Sequence, residues 1–410
     1  MRSVSSLALG VALVLGASLA TTQPAAAAKK DEQQPQMQFS KEERNALAPL
    51  QAAVNAKDWA AFTAALPAAQ SATTSANAKF AIARWQLDMG IATNNVQVQS
   101  QAIDGLIASG AVQATGLPAL YQNQGALAVQ AGNNQKAEAA YAKLIELQPT
   151  NTDGMIELAK VKTNLKKPQE AIALIDRAIE AQRGAGQTVP ESWYKYALKQ
   201  AFDNKLAPQS LKLSRDLVAA YPSTENWRDS LLIYREVSSL DKDTNLDLLR
   251  LMRASKALSG ERDWFSLAET LQMGGLPGEA KAVLDEGAAL KMIDLNKSVF
   301  KDLHAKATRG IAEDRPTLAG LKTKAMAAPT GALALSTANA YFAYGDYAEA
   351  VALYKAAIGK GSIDTNLANS RLGMALALAG NKAEAETAFK AVTGPRATLA
   401  SYWMAWLARS

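Results

Sequence analysis

The chain has 410 residues, 49% of them hydrophobic and only 6% aromatic, with no cysteine, one histidine and a formal net charge of +6. These counts exclude disulfides, thiolate metal sites, cysteine nucleophiles and any cluster of histidines. The charge is a solubility-scale balance without the basic blocks that track a nucleic-acid backbone, and alanine-rich apolar content without alternating Val, Ile and Thr points to an all-α chain.

In chain order, Met1-Arg2 supplies a short positive region, Leu7 to Ala20 an apolar core, and Pro24-Ala25-Ala26-Ala27-Ala28 a small-residue cleavage site before Lys29-Lys30. Together these read as a secretory signal peptide over residues 1–28, which places the mature chain in the periplasm. The apolar core is shorter than the roughly 20 residues that span a bilayer, so no stable membrane insertion is expected. Residues 29–39, opening KKDEQQPQMQ, lack apolar periodicity and read as a flexible leader.

Residues 40–117 read as irregular helical hairpins that cap the array behind them. Ser40 and Glu43 have capping-box spacing, with Phe39 placed to staple the first turn. Pro49 falls inside the apolar pattern that follows, so the helix is expected either to kink there or to start later than its cap. Further helices are expected from Trp59 to Leu66, over 76–91, and over 96–109 ahead of Gly110.

From residue 118 a spacing of about 34 residues becomes countable. Tyr121, Gly125, Gly132, Ala137, Tyr141 and Leu144 fall on one set of core and turn positions, and Ala159, Ala171, Ile175 and Ala178 continue it. After an insertion at Gly184-Ala185-Gly186, expected to bend the array, Tyr194, Leu198, Ser210, Leu217 and Pro222 resume the pattern. Trp264, Leu267, Ala268, Leu271, Gly275, Ala280 and Leu284 carry it on, as do Ala338, Tyr341, Gly345, Ala350, Tyr354 and Ala357. Its fullest spelling is Leu372-Gly373, Leu376, Gly380, Ala385 and Phe389. Small residues sit where two helices cross, large ones fill the space beside them, and glycine ends the first helix.

This pattern resembles the tetratricopeptide repeat, and the chain as a whole resembles an exported bacterial protein of that family. The resemblance covers 118–394, is weakest at 225–260 and 295–328, and implies an all-α, right-handed superhelical solenoid of helical hairpins. Residues 395–410, with Tyr402, Trp403 and Trp406, read as a C-terminal capping helix.

No catalytic, cofactor or metal site is expected. His304 is the only histidine and sits among Lys301, Asp302 and Lys306, as on a solvated helix face. Glu43 of the Glu42-Glu43 pair belongs to the capping box, and Glu313-Asp314 is expected just ahead of a helix starting at Pro316, where the dipole favours acids. Glu191-Ser192 matches the catalytic dipeptide of exported lytic transglycosylases in two residues only and follows Pro190 at a helix start. Gly274-Gly275-Leu276-Pro277-Gly278 lacks the Lys-Ser/Thr of a phosphate loop.

In the family the first helix of each unit lines a concave groove. By position this implies Gln122, Gln130, Lys160, Asn164, Lys195, Lys199, Phe202, Phe265, Gln272, Met273, Asn339 and Phe342 as partner-binding residues, the alternative being that they are merely solvated. The family's carboxylate clamp is absent, with Gln122, Ile156 and Glu157 at its positions. The expectation is an exported soluble scaffold that binds a protein or peptide partner in the cell envelope, with no nucleic acid. Binding to cell-wall or surface glycan is the alternative, and an enzyme the third class.

Overall fold

The computed structural model describes residues 37–409, so the expected signal peptide and most of the expected leader lie outside the described residues. Those residues form 21 α-helices and no strand. They divide into two compact units that meet in sequence at Val189 and Pro190, three residues beyond the Gly184-Ala185-Gly186 insertion.

The first unit is a row of helical hairpins: α1 (Lys41–Ala56) with α2 (Trp59–Ala72), α3 (Ala76–Ala92) with α4 (Val96–Ser109), α5 (Leu117–Gln130) with α6 (Asn134–Leu147), and α7 (Thr152–Asn164) with α8 (Pro168–Gly184). The capping box opens α1 as expected, with Glu43 N donating to Ser40 Oγ at 3.1 Å and Ser40 N to Glu43 Oε2 at 3.2 Å. The helix begins at this cap and continues through Pro49. A buried core of Leu47, Leu50, Phe62, Ile82 and Trp85 ties α1 to α2 and α3, and Phe39 packs against it.

Glu43 does more than close its own cap. Its Oε1 accepts from Thr74 N at 3.2 Å and from Ser75 N at 2.9 Å, at the start of α3. One buried carboxylate therefore satisfies free amides at two helix starts.

Further along, the small residues sit where helices cross. A Cβ on Gly125 would lie 2.7 Å from the Tyr141 ring, and one on Gly373 would lie 2.6 Å from the Phe389 ring. These two pairs hold the same positions in their hairpins, and only glycine lets the aromatic ring come this close to the first helix.

The second unit continues with α9 (Glu191–Asp203), α10 (Ala207–Ala220), α11 (Thr224–Val237), α12 (Lys242–Ala254), α13 (Gly260–Met273), α14 (Pro277–Ala289) and α15 (Ser298–Asp314). It ends with α16 (Leu318–Ala327), α17 (Ala332–Ala343), α18 (Tyr347–Lys360), α19 (Thr365–Leu378), α20 (Lys382–Lys390) and α21 (Ala397–Leu407). Helix α15 runs on to Asp314. Glu313 and Asp314 therefore close α15 instead of preceding the next helix, and Pro316 lies in a 3-10 turn, Arg315–Thr317, that links α15 to α16.

This unit closes on itself. Helix α21 seals the last hairpin, with Trp403 stacked on Phe389 at 6.1 Å between ring centroids. The same helix packs on the unit's first hairpin: Tyr402 Oη shares a hydrogen bond with Ser214 Oγ on α10, and Arg409 Nη2 donates to Ala219 O at 2.8 Å. Trp406 Nε1 donates to Ala254 O at the end of α12 at 3.2 Å.

Inside lies α12, buried at every position from Leu246 to Met252. A helix apolar on one stripe only would leave a face in water; one buried all round must be enclosed by the rest of its unit. Helix α12 lies within 225–260, where the repeat spelling is weakest, but α19, buried at every position from Ser370 to Ala377, keeps that spelling in full, so enclosure alone does not erase it.

Glu43 supplies a test. The hydrogen bond from Ser75 N, assisted by the Ser75 hydroxyl and the amides of Ser40 and Thr74, outweighs burial and lowers its pKa from 4.5 to about 2. Because the folded pKa is depressed, the stabilisation is present above about 4.5 and is lost as pH falls from there through 2. Glu43→Gln should lower stability at neutral pH by about 1 to 3 kcal/mol and flatten the acid limb of a denaturation-against-pH profile. An acid limb identical in wild type and variant would contradict this role.

Candidate functional site

The interior of the second unit is built around charge. Asp247 on α12 is 0% exposed and accepts from Arg250 Nη1 at 3.1 Å, Arg371 Nε at 3.2 Å and Arg396 Nη1 at 3.3 Å. The remaining donors reach further carboxylates. Arg250 Nη2 and Nε donate to Glu279 at 2.6 and 3.0 Å, Arg371 Nη2 to Asp243 at 2.8 Å, and Arg396 Nη2 to Asp241 at 3.2 Å. Burial alone would lower the pKa of Arg250, but Glu279 and Asp247 more than offset it and the net shift is upward. Such a network is internally satisfied: it joins α12, α14, α19 and the turn before α21, and it offers no free charge to a ligand.

Beside it opens a cavity of about 520 Å³. The Arg250 guanidinium lies 4.6 Å from the centroid of the Phe342 ring, and Tyr347 meets that ring edge-on at 5.4 Å. Across the cavity wall Arg253 Nε donates to Glu286 at 2.6 Å. Tyr344 Oη donates to Asp314 Oδ2 at 2.9 Å, with the Arg315 guanidinium 5.0 Å from its ring centroid. Burial, and then its bond to Asp314, push the Tyr344 phenol well above its ordinary range, so it stays protonated.

The expected groove residues all lie on first helices of hairpins, but not all of them are exposed. In the first unit Gln122, Gln130, Lys160 and Asn164 are exposed on α5 and α7. Lys160 is paired along its helix with Glu157 at 2.6 Å. On α9, Lys195 pairs with Glu191 at 3.0 Å, Lys199 with Asp203 at 2.6 Å, and Phe202 is 38% exposed. On α13, Phe265 is half-buried against Phe300, Gln272 is half-buried with its Oε1 lacking a partner among the described residues, and Met273 is 82% exposed. On α17, Asn339 Oδ1 accepts from Tyr354 Oη at 2.8 Å, and Phe342 is 4% exposed beneath Arg250. Asn339 and Phe342 thus face the unit's own interior.

The residues considered for chemistry are engaged elsewhere. His304 Nε2 lies 2.8 Å from Asp285 Oδ1. Glu191 accepts from Asn226 Nδ2 at 2.8 Å, and this bond, with Lys195, holds its pKa below the usual value, the opposite of what a general acid needs.

Two segments, residues 128–187 and 335–400, match family models described as tetratricopeptide repeat. The chain carries tetratricopeptide repeats in both segments. The first match takes in α6, α7 and α8, and the second spans α17 to α20. These are the tetratricopeptide hairpins in which Gly125 meets Tyr141 and Gly373 meets Phe389, or their direct neighbours. No curated protein matches the chain. Among solved structures, it is similar to a tetratricopeptide repeat protein from Parabacteroides merdae at 14% identity, covering 71% of this chain and 99% of that one with a TM-score of 0.25. A thermophilic TPR protein of Thermus thermophilus is similar at 15% identity, over 48% of this chain and 98% of that one, with a TM-score of 0.24. The C-terminal part of a TPR repeat-containing protein from Cytophaga hutchinsonii is similar at 13% identity, over 80% and 99%, with a TM-score of 0.27. Tetratricopeptide arrays are protein-interaction scaffolds, and the repeats here imply protein partners.

Sequence reasoning passed over Asp247, Arg250, Glu279, Arg371 and Arg396. A signal was there: Asp247 and Arg250 interrupt an otherwise apolar LDLLRLM, and Arg371 stands directly before LGMALAL. Charges in the middle of such runs must be paired or moved out of the core. Asp247→Ala would take the shared buried acceptor from three guanidiniums at once, leaving each with a single carboxylate, and should destabilise the second unit by about 3 to 5 kcal/mol. Lys355→Ala, which removes an exposed pair with Glu384, should cost no more than about 1 kcal/mol. Equal shifts of the two thermal midpoints would contradict the central role of Asp247.

Proposed function

We propose that the protein is an exported scaffold that works in the periplasm and holds a protein or peptide partner against the first-helix faces of its repeats. The observation that carries this reading is the exposed row on α5 and α7, where Gln122, Gln130, Lys160 and Asn164 stand in solvent within a tetratricopeptide array. Amides and an ion-paired lysine can exchange their present partners for those of a bound peptide. The face on α9, with Lys195, Lys199 and Phe202, offers the same chemistry with an aromatic added.

Export rests on the three-part N-terminal signal, and no helix among the described residues is long and apolar enough to cross a membrane. Glycan binding would need a row of exposed rings, and it is weakened by the burial of Phe342 and the packing of Phe265 against Phe300. We read the protein as having no catalytic role, since Glu43, Glu191, Asp314 and His304 are each held by neighbouring groups.

Two measurements test the proposal. The mature protein should start at about Ala28 or Lys29 and be released by osmotic shock; the full-length chain in washed membranes would overturn export. A partner crosslinked in the envelope should bind the variant carrying Gln122→Ala, Lys160→Glu and Asn164→Ala at least about tenfold more weakly. Those exposed substitutions should each change stability by no more than about 0.5 kcal/mol. Undiminished affinity in a folded variant would remove α5 and α7 from the interface.

A further inference from the structure

The cavity beside α12 has a charge balance that the buried network does not use. Four cations line it, Arg250, Arg253, Lys256 and Arg315, against two carboxylates, Glu279 and Glu286. Arg250 is spent on Glu279 and Asp247, and Arg253 on Glu286. Lys256 and Arg315 are not. The Lys256 ammonium is exposed and has no hydrogen-bond or ion-pair partner among the described residues. Arg315 comes only within 3.9 Å of Asp346 and otherwise rests its face on Tyr344.

A compact cation without a partner and a planar one only loosely held by Asp346 face a cavity whose remaining wall, beside the paired Arg250, Arg253, Glu279 and Glu286, is apolar and aromatic. Tyr344 and Tyr347 provide flat surface, and Ile311 and Leu378 provide aliphatic surface. The volume, about 520 Å³, falls in the range of small-molecule sites. Water would satisfy the two cations individually, but a ligand that carries an anion on a flat body satisfies them and covers the rings together.

We propose that this cavity is a binding site for a small organic anion: one carboxylate or phosphate group on a flat apolar body. The anionic group bonds to Lys256 and Arg315, and the body lies against Tyr344 and Tyr347. This reading is independent of the scaffold function, because it uses the turns beside α12 and not the exposed faces of α5, α7 or α9.

The test uses the whole mature protein and four probes: benzoate, phenyl phosphate, and the neutral benzamide and phenol. Saturation-transfer NMR should show saturable binding of at least one anionic probe, with both neutral probes at least tenfold weaker. Which anion binds more tightly separates a carboxylate site from a phosphate site. Lys256→Asn combined with Arg315→Gln should weaken the anionic probe at least tenfold while helicity is unchanged. Asparagine is chosen because position 256 has φ of 60° and tolerates it. A second readout needs no variant: the bound anion should slow acetylation of Lys256 in the wild-type protein several-fold and leave Lys355 unaffected. Equal binding of charged and neutral probes, retention of binding in the folded double variant, or unprotected Lys256 at saturating probe would each overturn the proposal.

Discussion

Three guanidiniums converging on the carboxylate of Asp247 set the form of the second unit. An unpaired carboxylate in that position would cost several kcal/mol, so the helix that carries it can be enclosed only if Arg371 and Arg396 come with it. Those arginines lie 124 and 149 residues further along the chain. Satisfying Asp247 therefore obliges α19 and the turn before α21 to meet α12. Once they do, Tyr402 reaches Ser214 and Trp406 reaches the end of α12. The closure and the buried charge are one constraint seen from two sides.

That constraint divides the work of the molecule. In an open array, the first helices expose their inner faces to a partner. In the second unit, part of that face is covered by the unit's own α12, whose Arg250 lies over Phe342, while Asn339 is held by Tyr354 of its own hairpin. What remains is a cavity at the edge of the enclosure, with two cations left over from the pairing inside it. Among the described residues of the first unit no helix is buried over so long an unbroken run, and the first-helix residues Gln122, Gln130, Lys160 and Asn164 on α5 and α7 stay in solvent.

The parts of this arrangement that were legible in the sequence are the local ones. The Ser40 and Glu43 box, Gly125 beneath Tyr141 and Gly373 beneath Phe389 are written in spacings of a few residues to one hairpin, and periodicity exposes such spacings. The second duty of Glu43, at the start of α3, joins residues more than 30 positions apart and leaves no periodic trace. The same holds for Asp247 with Arg371. The repeat pattern also ranks positions by hairpin geometry, so it named Phe342 as a groove residue without seeing that Arg250 would lie over its ring. The weak spelling at 225–260 was visible, but a departure from a pattern does not say what replaces it. Here the replacement is an enclosed helix.

Hydrogen exchange of the α12 backbone amides tests the enclosure most directly, since it reads how much of the unit must open before that helix meets water. If α12 is held inside by α19 and α21, its amides from Leu246 to Met252 should be among the slowest in the chain. They should exchange only with the global unfolding of the second unit. Exchange of those amides as fast as at the α17–α18 turn, or through an opening that leaves α19 protected, would contradict the account.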